Sequence, residues 1–419
     1  MSTLGPLLME GRRPLARIAA FSLLPGLSLV SVVVVLPVLS ARFGQAGWSS
    51  VLLGQSIGAA ASVVCGLSWP LEGSNLASRT APGQRLQMYR TSVRQRAWAV
   101  ALAAPVMIAV AVIAAPSMPL VCALSAIAVS LNALLPTWYF VGVSRPIQSV
   151  VAEGFPRLVV SVLSIGLVAL LPLWTYPVAL ICGMFATLAI AHVFIHRDAV
   201  KAVGGEPPRT EPAMPTKGRL PILAVVARGA DAGYVYLSGP VIALVAAPAY
   251  PLYAAADRLA QSVVNLMGPA TQGLTAWIGE GAPGQRRRRI SGAVLVALGV
   301  AALAFLVLLV AGPLIVRFLF AGTIHIDRLV AFLIAAIVAG AFLARSLPLI
   351  LLVPQDLARI AYRLMLLAAF LALPLLGVAA VVWGSVGALT VAAVAPWVVV
   401  AAQLTAGFRT SPRPTLLRG

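Results

Sequence analysis

Along this 419-residue chain an apolar run long enough to cross a bilayer recurs about twelve times, and few polar residues separate one run from the next. In hydrocarbon every backbone N–H and C=O must be satisfied within the protein, so runs of about 20 residues can be helices and little else. The runs fall at 15–40, 49–72, 97–115, 119–140, 158–172, 175–195, 220–245, 251–277, 291–318, 329–353, 361–382 and 386–408. Only 10% of the residues are charged, against about 25% in soluble globular proteins, and 61% are hydrophobic. The expected fold class is all-α: a polytopic membrane protein of about twelve transmembrane helices in two pseudo-symmetric six-helix lobes.

The division into lobes comes from the longest polar stretch, His196 to Arg219, which contains Gly204, Gly205, Pro207, Pro208, Pro212 and Pro215. It predicts an N-terminal lobe over 1–200, a cytoplasmic linker over 201–219 and a C-terminal lobe over 220–419. A weak internal repeat points the same way. Pro37 matches Pro240, and Pro70 to Gly73 matches Pro269 to Gly273. Prolines such as Pro25, Pro105, Pro136, Pro313, Pro348, Pro374 and Pro396 lie inside or near the ends of the runs, and each frees a carbonyl and bends its helix.

The net charge of +19 would suggest nucleic acid in a soluble protein. Here its distribution reports topology, and no nucleic-acid partner is needed. Arg12 to Arg17, Arg79 to Arg96, Arg145, Arg157, Arg197 to Arg219, Arg286 to Arg289, Arg359, Arg363 and the C-terminal tail carry most of the basic residues, and all lie on the N-terminus's side of the runs. Arg42, Arg317 and Arg328 lie opposite. By the positive-inside rule both termini face the cytoplasm and the chain is multi-pass in the cytoplasmic membrane. The first apolar run is too long for a signal-peptide core, so it is expected to remain as a helix.

Within this pattern, 219–280 stands out, because two apolar runs carry ionisable residues: Arg228 and Asp231 in one, Asp257 and Arg258 in the next. An Arg or Asp at mid-helix costs about 2.5 to 3.5 kcal/mol, roughly what the Leu, Ile and Val of the 220–245 run return together. Such a helix must turn its charges into a bundle. Arg228 and Asp231 share one helical face, and Gly229 and Gly233 allow a neighbour to approach closely. Arg345 is a further interior cation. Two readings remain open: Arg–Asp pairs that lock helices together, and a polar translocation cavity.

Chemistry beyond transport finds little support. His192 and His196 sit at i and i+4, but only Asp198 stands near them and no metal set forms, and no cofactor motif or nucleotide-binding loop is present. Cys65, Cys122 and Cys182 lie within apolar runs without pairing and read as small packing residues. The Arg286 to Arg289 run reads as a topology determinant. The stretch Gln84 to Arg96, with Leu86, Tyr89 and Val93 on one face and Arg85, Arg90, Arg94 and Arg96 elsewhere, reads as an amphipathic surface helix or an extension of the third run. No catalytic residue is assigned.

Several stretches resemble the oligosaccharide flippase branch of the multidrug/oligosaccharidyl-lipid/polysaccharide exporter superfamily. Pro136-Thr137-Trp138-Tyr139-Phe140-Val141-Gly142 is similar to the Pro-x-Trp-aromatic-Gly pattern of O-antigen-type flippases. Tyr253 to Leu259, which contains Asp257-Arg258, resembles their Tyr-x-x-Ala-Asp-Arg segment, and Gly268-Pro269 through Gly273-Leu274 continues the match. The resemblance implies a carrier that moves a polyprenyl-pyrophosphate-linked oligosaccharide to the outer leaflet by alternating access, with membrane lipids and polysaccharide-assembly membrane proteins as further partners. The chain has no room for the two extra helices of lipid II flippases. Arg228, Arg258 and Arg345 would bind the pyrophosphate, since a guanidinium stays charged in a poorly hydrated site and grips phosphate oxygens bidentately. Asp231 and Asp257 would be charge partners or bind a coupling ion. The rival readings are a cation-coupled multidrug exporter of the same superfamily and a membrane-embedded enzyme of polysaccharide synthesis. Short external loops and the lack of an acid–base cluster weigh against the enzyme.

Overall fold

The structure, a computed structural model, describes residues 4–115, 117–203, 222–279, 285–355 and 357–409, while the side chains of 4–32, 71, 146, 201–203, 222–232, 358 and 409 lie outside that description. The chain divides into two compact units, Met1–Gly218 and Arg219–Gly419. The described residues are helical apart from short turns and connections, with no strand among them. Of the linker expected over 201–219, most lies outside the described residues.

The first unit contains α1 (Leu4–Cys65), α2 (Trp69–Arg79), α3 (Arg85–Ala114), α4 (Pro119–Ser130), α5 (Thr137–Gly142), α6 (Pro146–Ser149), α7 (Phe155–Leu170) and α8 (Thr175–Val203). Two expected spans share α1, and the chain changes direction between them at Gly44, whose φ of 59° suits a residue without a side chain. The second half of α1 packs on α4 closely enough that a Cβ on Gly54 would lie 2.1 Å from the Cys122 carbonyl oxygen, and one on Gly58 2.2 Å from that of Ala126. This is small-residue helix packing of the kind lipid favours, where no hydrophobic force drives helices together. Cys122 serves there as a small packing residue; Cys65 is also buried, whereas Cys182 is exposed. The surface helix expected over 84–96 is continuous with the third span in α3.

The fourth span breaks. After α4 the chain passes through a 3-10 turn over Leu131–Leu134 and restarts at α5 behind Pro136. The fifth is longer than the expected 158–172. It starts at α6, passes through one π turn over Val150–Gly154 and runs on as α7, so residues that read as loop complete a membrane-length helix.

The second unit contains α9 (Ile222–Val245), α10 (Tyr250–Gly279), α11 (Arg286–Leu319), α12 (Arg328–Leu347) and α13 (Ala358–Arg409). Two spans share α13, which turns back at Gly384 (φ 63°); there a Cβ on Gly387 would lie 2.5 Å from the Ala379 carbonyl oxygen. Helix α12 opens on Asp327, whose side chain accepts from the Val330 amide, and ends at Pro348 in a π turn over Pro348–Leu352. Trp397 Nε1 and Gln403 Nε2 on α13 donate to the carbonyls of Ala336 and Ala344 on α12. The repeat matched Pro70 with Pro269, but the positions differ: Pro70 opens α2 behind Leu67 at positive φ, whereas Pro269 lies inside the continuous α10.

Outward faces are apolar. Leu102, Val310 and Phe370 are 76%, 79% and 71% exposed, which suits lipid and would be costly in water. Among the described residues eight helical stretches are long and apolar enough to cross a membrane, and the stretch over α13 alone is 50 residues, long enough for two passes.

Candidate functional site

Of the ionisable residues singled out from the sequence, Asp257 and Arg258 lie on α10 and Arg345 on α12. Tyr253 and the three alanines after it are buried all round the helix, and Asp257 and Arg258 on the next turn are half-buried between them and the buried Leu259 and Ala260. Asp257 Oδ2 accepts from Gln261 Nε2 at 2.7 Å, one turn along. The cations whose charge reaches Asp257 are Arg258 and Arg345. Tyr253 lies beside Ser238 and Tyr234 of α9. About four turns along α10 from Asp257, the Thr271 and Ser346 hydroxyls meet at 2.6 Å and tie α10 to α12 beside Arg345. Arg345 also lines a cavity with residues of α9, α12 and α13.

Of the residues singled out from the sequence, Asp257 and Arg258 stand side by side on α10, and Arg345 on α12 acts on Asp257 through its charge. Arg228 and Asp231 fall on the part of α9 whose side chains lie outside the described residues, as does Gly229. Gln261 and Tyr234 lie near these residues without having been anticipated, while Tyr253 opens the segment singled out from the sequence. Gln261 could have been found, since it follows Asp257 by one helical turn.

The first unit holds a second polar interior that the sequence misplaced. Arg96, expected on a solvated face, is fully buried. Its Nη1 donates to the carbonyls of Ala133 (2.6 Å) and Leu135 (3.1 Å), its Nε to that of Ser92, and its guanidinium lies over the Trp138 ring. These carbonyls belong to the break before Pro136, where the helix ladder no longer satisfies them. The buried residues of α3 include Tyr89, Ser92, Arg96 and Val100, so Arg96 belongs to the inward stripe by helical spacing, and only its charge argued otherwise. Glu153 is also buried, in the π turn, where the Thr137 hydroxyl reaches both carboxylate oxygens at 2.9 Å. The aromatic motif 136–142 is packing: Trp138, Tyr139 and Phe140 are buried with Trp69 and Tyr89 in one core cluster, and Gly142 lies against the Ser74 backbone. His192 and His196 stack on each other, and Asp198 is ion-paired with Arg145.

No protein-family model matches the chain, and no curated protein matches it. Among solved structures it is similar to a MATE protein in the bent conformation, with a TM-score of 0.51 and 12% identity over 94% of this chain and 96% of that one. Other similar structures are the inward-facing and outward-facing conformations of a multidrug resistance MATE family transporter of the MOP superfamily, at TM-scores of 0.48 and 0.49, identities of 12% and 10%, and 94% coverage of this chain, with 100% and 94% of those chains covered. At such identity the first of these likenesses speaks to architecture, and on it this chain has the fold of a MATE protein.

Proposed function

We propose that this protein is a secondary transporter working by alternating access, and that it flips a polyprenyl-pyrophosphate-linked oligosaccharide across the cytoplasmic membrane. The observation that carries the reading is the charge balance of the half-buried residues on α10 and α12, where among the described side chains two cations, Arg258 and Arg345, face one carboxylate, Asp257. A net positive interior suits a pyrophosphate and disfavours an organic cation. Arg258 is the direct pyrophosphate contact on α10, Arg228 the corresponding contact on α9, and Arg345 contributes positive field. Asp231 and Asp257 are their charge partners or coupling-ion ligands. The sugar crosses in the polar interior and the polyprenyl tail stays in lipid.

A second reading, a cation-coupled multidrug exporter, is favoured by the likeness to a MATE protein, with Asp257 binding the coupling ion. A strain lacking the protein separates the two. Accumulation of completed lipid-linked oligosaccharide supports flipping, drug sensitivity alone supports the exporter, and accumulation of an unextended precursor would overturn both in favour of a synthetic enzyme.

A further inference from the structure

On the outward face of α3 four side chains follow one another at four-residue steps, Arg90, Arg94, Trp98 and Leu102, and all four are exposed. From Ala97 to Ala114 the helix carries no polar side chain apart from the Trp98 indole, a length of about 27 Å against the roughly 30 Å of a bilayer's hydrocarbon core. The change from basic to apolar therefore falls at Trp98. An exposed Trp, here 66% so, is the side chain that a membrane interface favours at that level. Arg94 stands about 6 Å and Arg90 about 12 Å further along the axis, and the long stem of an arginine lets each lower its guanidinium to the headgroups. This part of α3 is held firmly from within. Arg96 closes the break in the fourth span through Nη1, and Trp69 Nε1 donates to Gln95 Oε1 at 3.0 Å. The charge of Arg90 reaches His192 on α8, which stacks on His196 and lies near the Tyr89 ring. Helix α3 has no Asp or Glu, and Asp198, just past His196, is ion-paired with Arg145.

We propose that this face of α3 binds an anionic phospholipid of the leaflet on its arginine side. Arg94 holds the phosphate, Arg90 the outer part of the headgroup, and the acyl chain lies along Leu102 and Val106. Apolar exposure sets the tail, since Leu102, Val106 and Ile113 are all exposed beyond Trp98 and suit hydrocarbon. Charge sets the headgroup. An ethanolamine lipid brings an ammonium that calls for a carboxylate, and α3 offers none, whereas a lipid with net negative charge brings acceptors that two guanidiniums meet. A planar fork grips two phosphate oxygens at once. The Trp98 N–H serves as donor to an ester carbonyl while its ring stays against the chain. Because Arg96 and Gln95 fix this turn of the helix, binding orders only the two outward side chains, which keeps its entropy cost small. The ligand is a lipid of the bilayer, and the site does not depend on which substrate the protein carries.

The experiment uses the purified full-length protein in a non-ionic detergent. A phosphatidylglycerol with a fluorescent tail is titrated onto it, and unlabelled phosphatidylglycerol, phosphatidylethanolamine and sodium glycerol phosphate serve as competitors. Phosphatidylglycerol should displace the probe at least about tenfold better than phosphatidylethanolamine. Arg90→Gln with Arg94→Gln should weaken phosphatidylglycerol binding at least about tenfold, from a factor of about five for each cation lost. The charge-matched Arg286→Gln with Arg287→Gln should leave it within about twofold. A phosphatidylglycerol carrying a photoreactive group at the head of its acyl chain should label the α3 peptide around Trp98 in the wild-type protein, a readout that stands if the Arg90 and Arg94 variant does not fold. The proposal is overturned if phosphatidylethanolamine competes equally or if glycerol phosphate alone displaces the probe. It is equally overturned if the two double variants lose affinity alike, or if the photolabel falls elsewhere and not on α3.

Discussion

Arg96 in the first unit and Arg345 in the second are both arginines within apolar helical spans, yet their surroundings are opposite. Arg96 has no exposed surface: its Nη1 donates to the carbonyls that the broken fourth span leaves open, its Nε to that of Ser92, Trp138 covers one face, and its Nη2 has no hydrogen-bond partner among the described residues. Arg345 is half-buried and lines open space, and the carboxylate in its field has another partner. Depth of burial therefore does not mark a site. What separates them is the partner each finds: Arg96 closes a helix break through Nη1, whereas among the described residues no hydrogen bond or contact ion pair engages Arg345, which lines a cavity.

The contrast can be broken or sharpened by substitution. The largest effect is expected in the packed frame of the first unit. Gly58→Val would drive a side chain into the Ala126 carbonyl, already 2.2 Å from a bare Cβ, and should abolish folded protein in the membrane. Gly273→Ala in α10, where nothing lies within 4 Å of the new Cβ, should leave protein levels unchanged. Similar losses at both positions would remove the distinction between frame and site.

Next in size, Arg96→Met leaves the Ala133 and Leu135 carbonyls unpaired and should cost about 3 kcal/mol of stability, read from denaturant or thermal unfolding in detergent. Arg345→Met should change stability by no more than about 1 kcal/mol in the same detergent. Equal costs would mean that Arg345 is as structural as Arg96.

The third test concerns transport. Arg258→Ala should reach the membrane at normal levels yet lose flipping at least about tenfold, and Arg258→Lys should keep part of it, because charge survives without the bidentate fork. If Arg258 merely neutralised Asp257, the double change Arg258→Ala with Asp257→Ala would restore activity, since removing both members relieves the unpaired charge. Recovery in the double variant would reduce Asp257 and Arg258 to a structural pair.

The smallest effect belongs to the hydroxyl link beside Arg345. Thr271→Val should cost about 1 kcal/mol, and adding Ser346→Ala should cost little more, as expected for two groups that satisfy each other. Additive losses would show that each hydroxyl has other partners.

Much of this was open to reading from residue order. The apolar runs named the helices and their class, because a chain in lipid has so few ways to satisfy its backbone. The Tyr253 to Leu259 segment drew attention to Asp257 and Arg258 because charges are costly there. The aromatic stretch 136–142 looked functional and is core, since aromatic residues before a glycine read alike whether they face a ligand or, as here, pack on Trp69 and Ser74.

The linear sequence by itself determined that this is a helical membrane protein and that the 219–280 hairpin carries charge within apolar runs, since both follow from the cost of apolar surface in water and of charge in lipid, but it put the buried Arg96 on a solvated face. Tertiary structure alone decided where those charges lead. Whether a guanidinium meets freed carbonyls, as Arg96 does, or a cavity, as Arg345 does, depends on which neighbouring helix breaks beside it and which presents only methyl groups. That is a property of three-dimensional neighbours far apart in the chain, and helical periodicity carries no record of it.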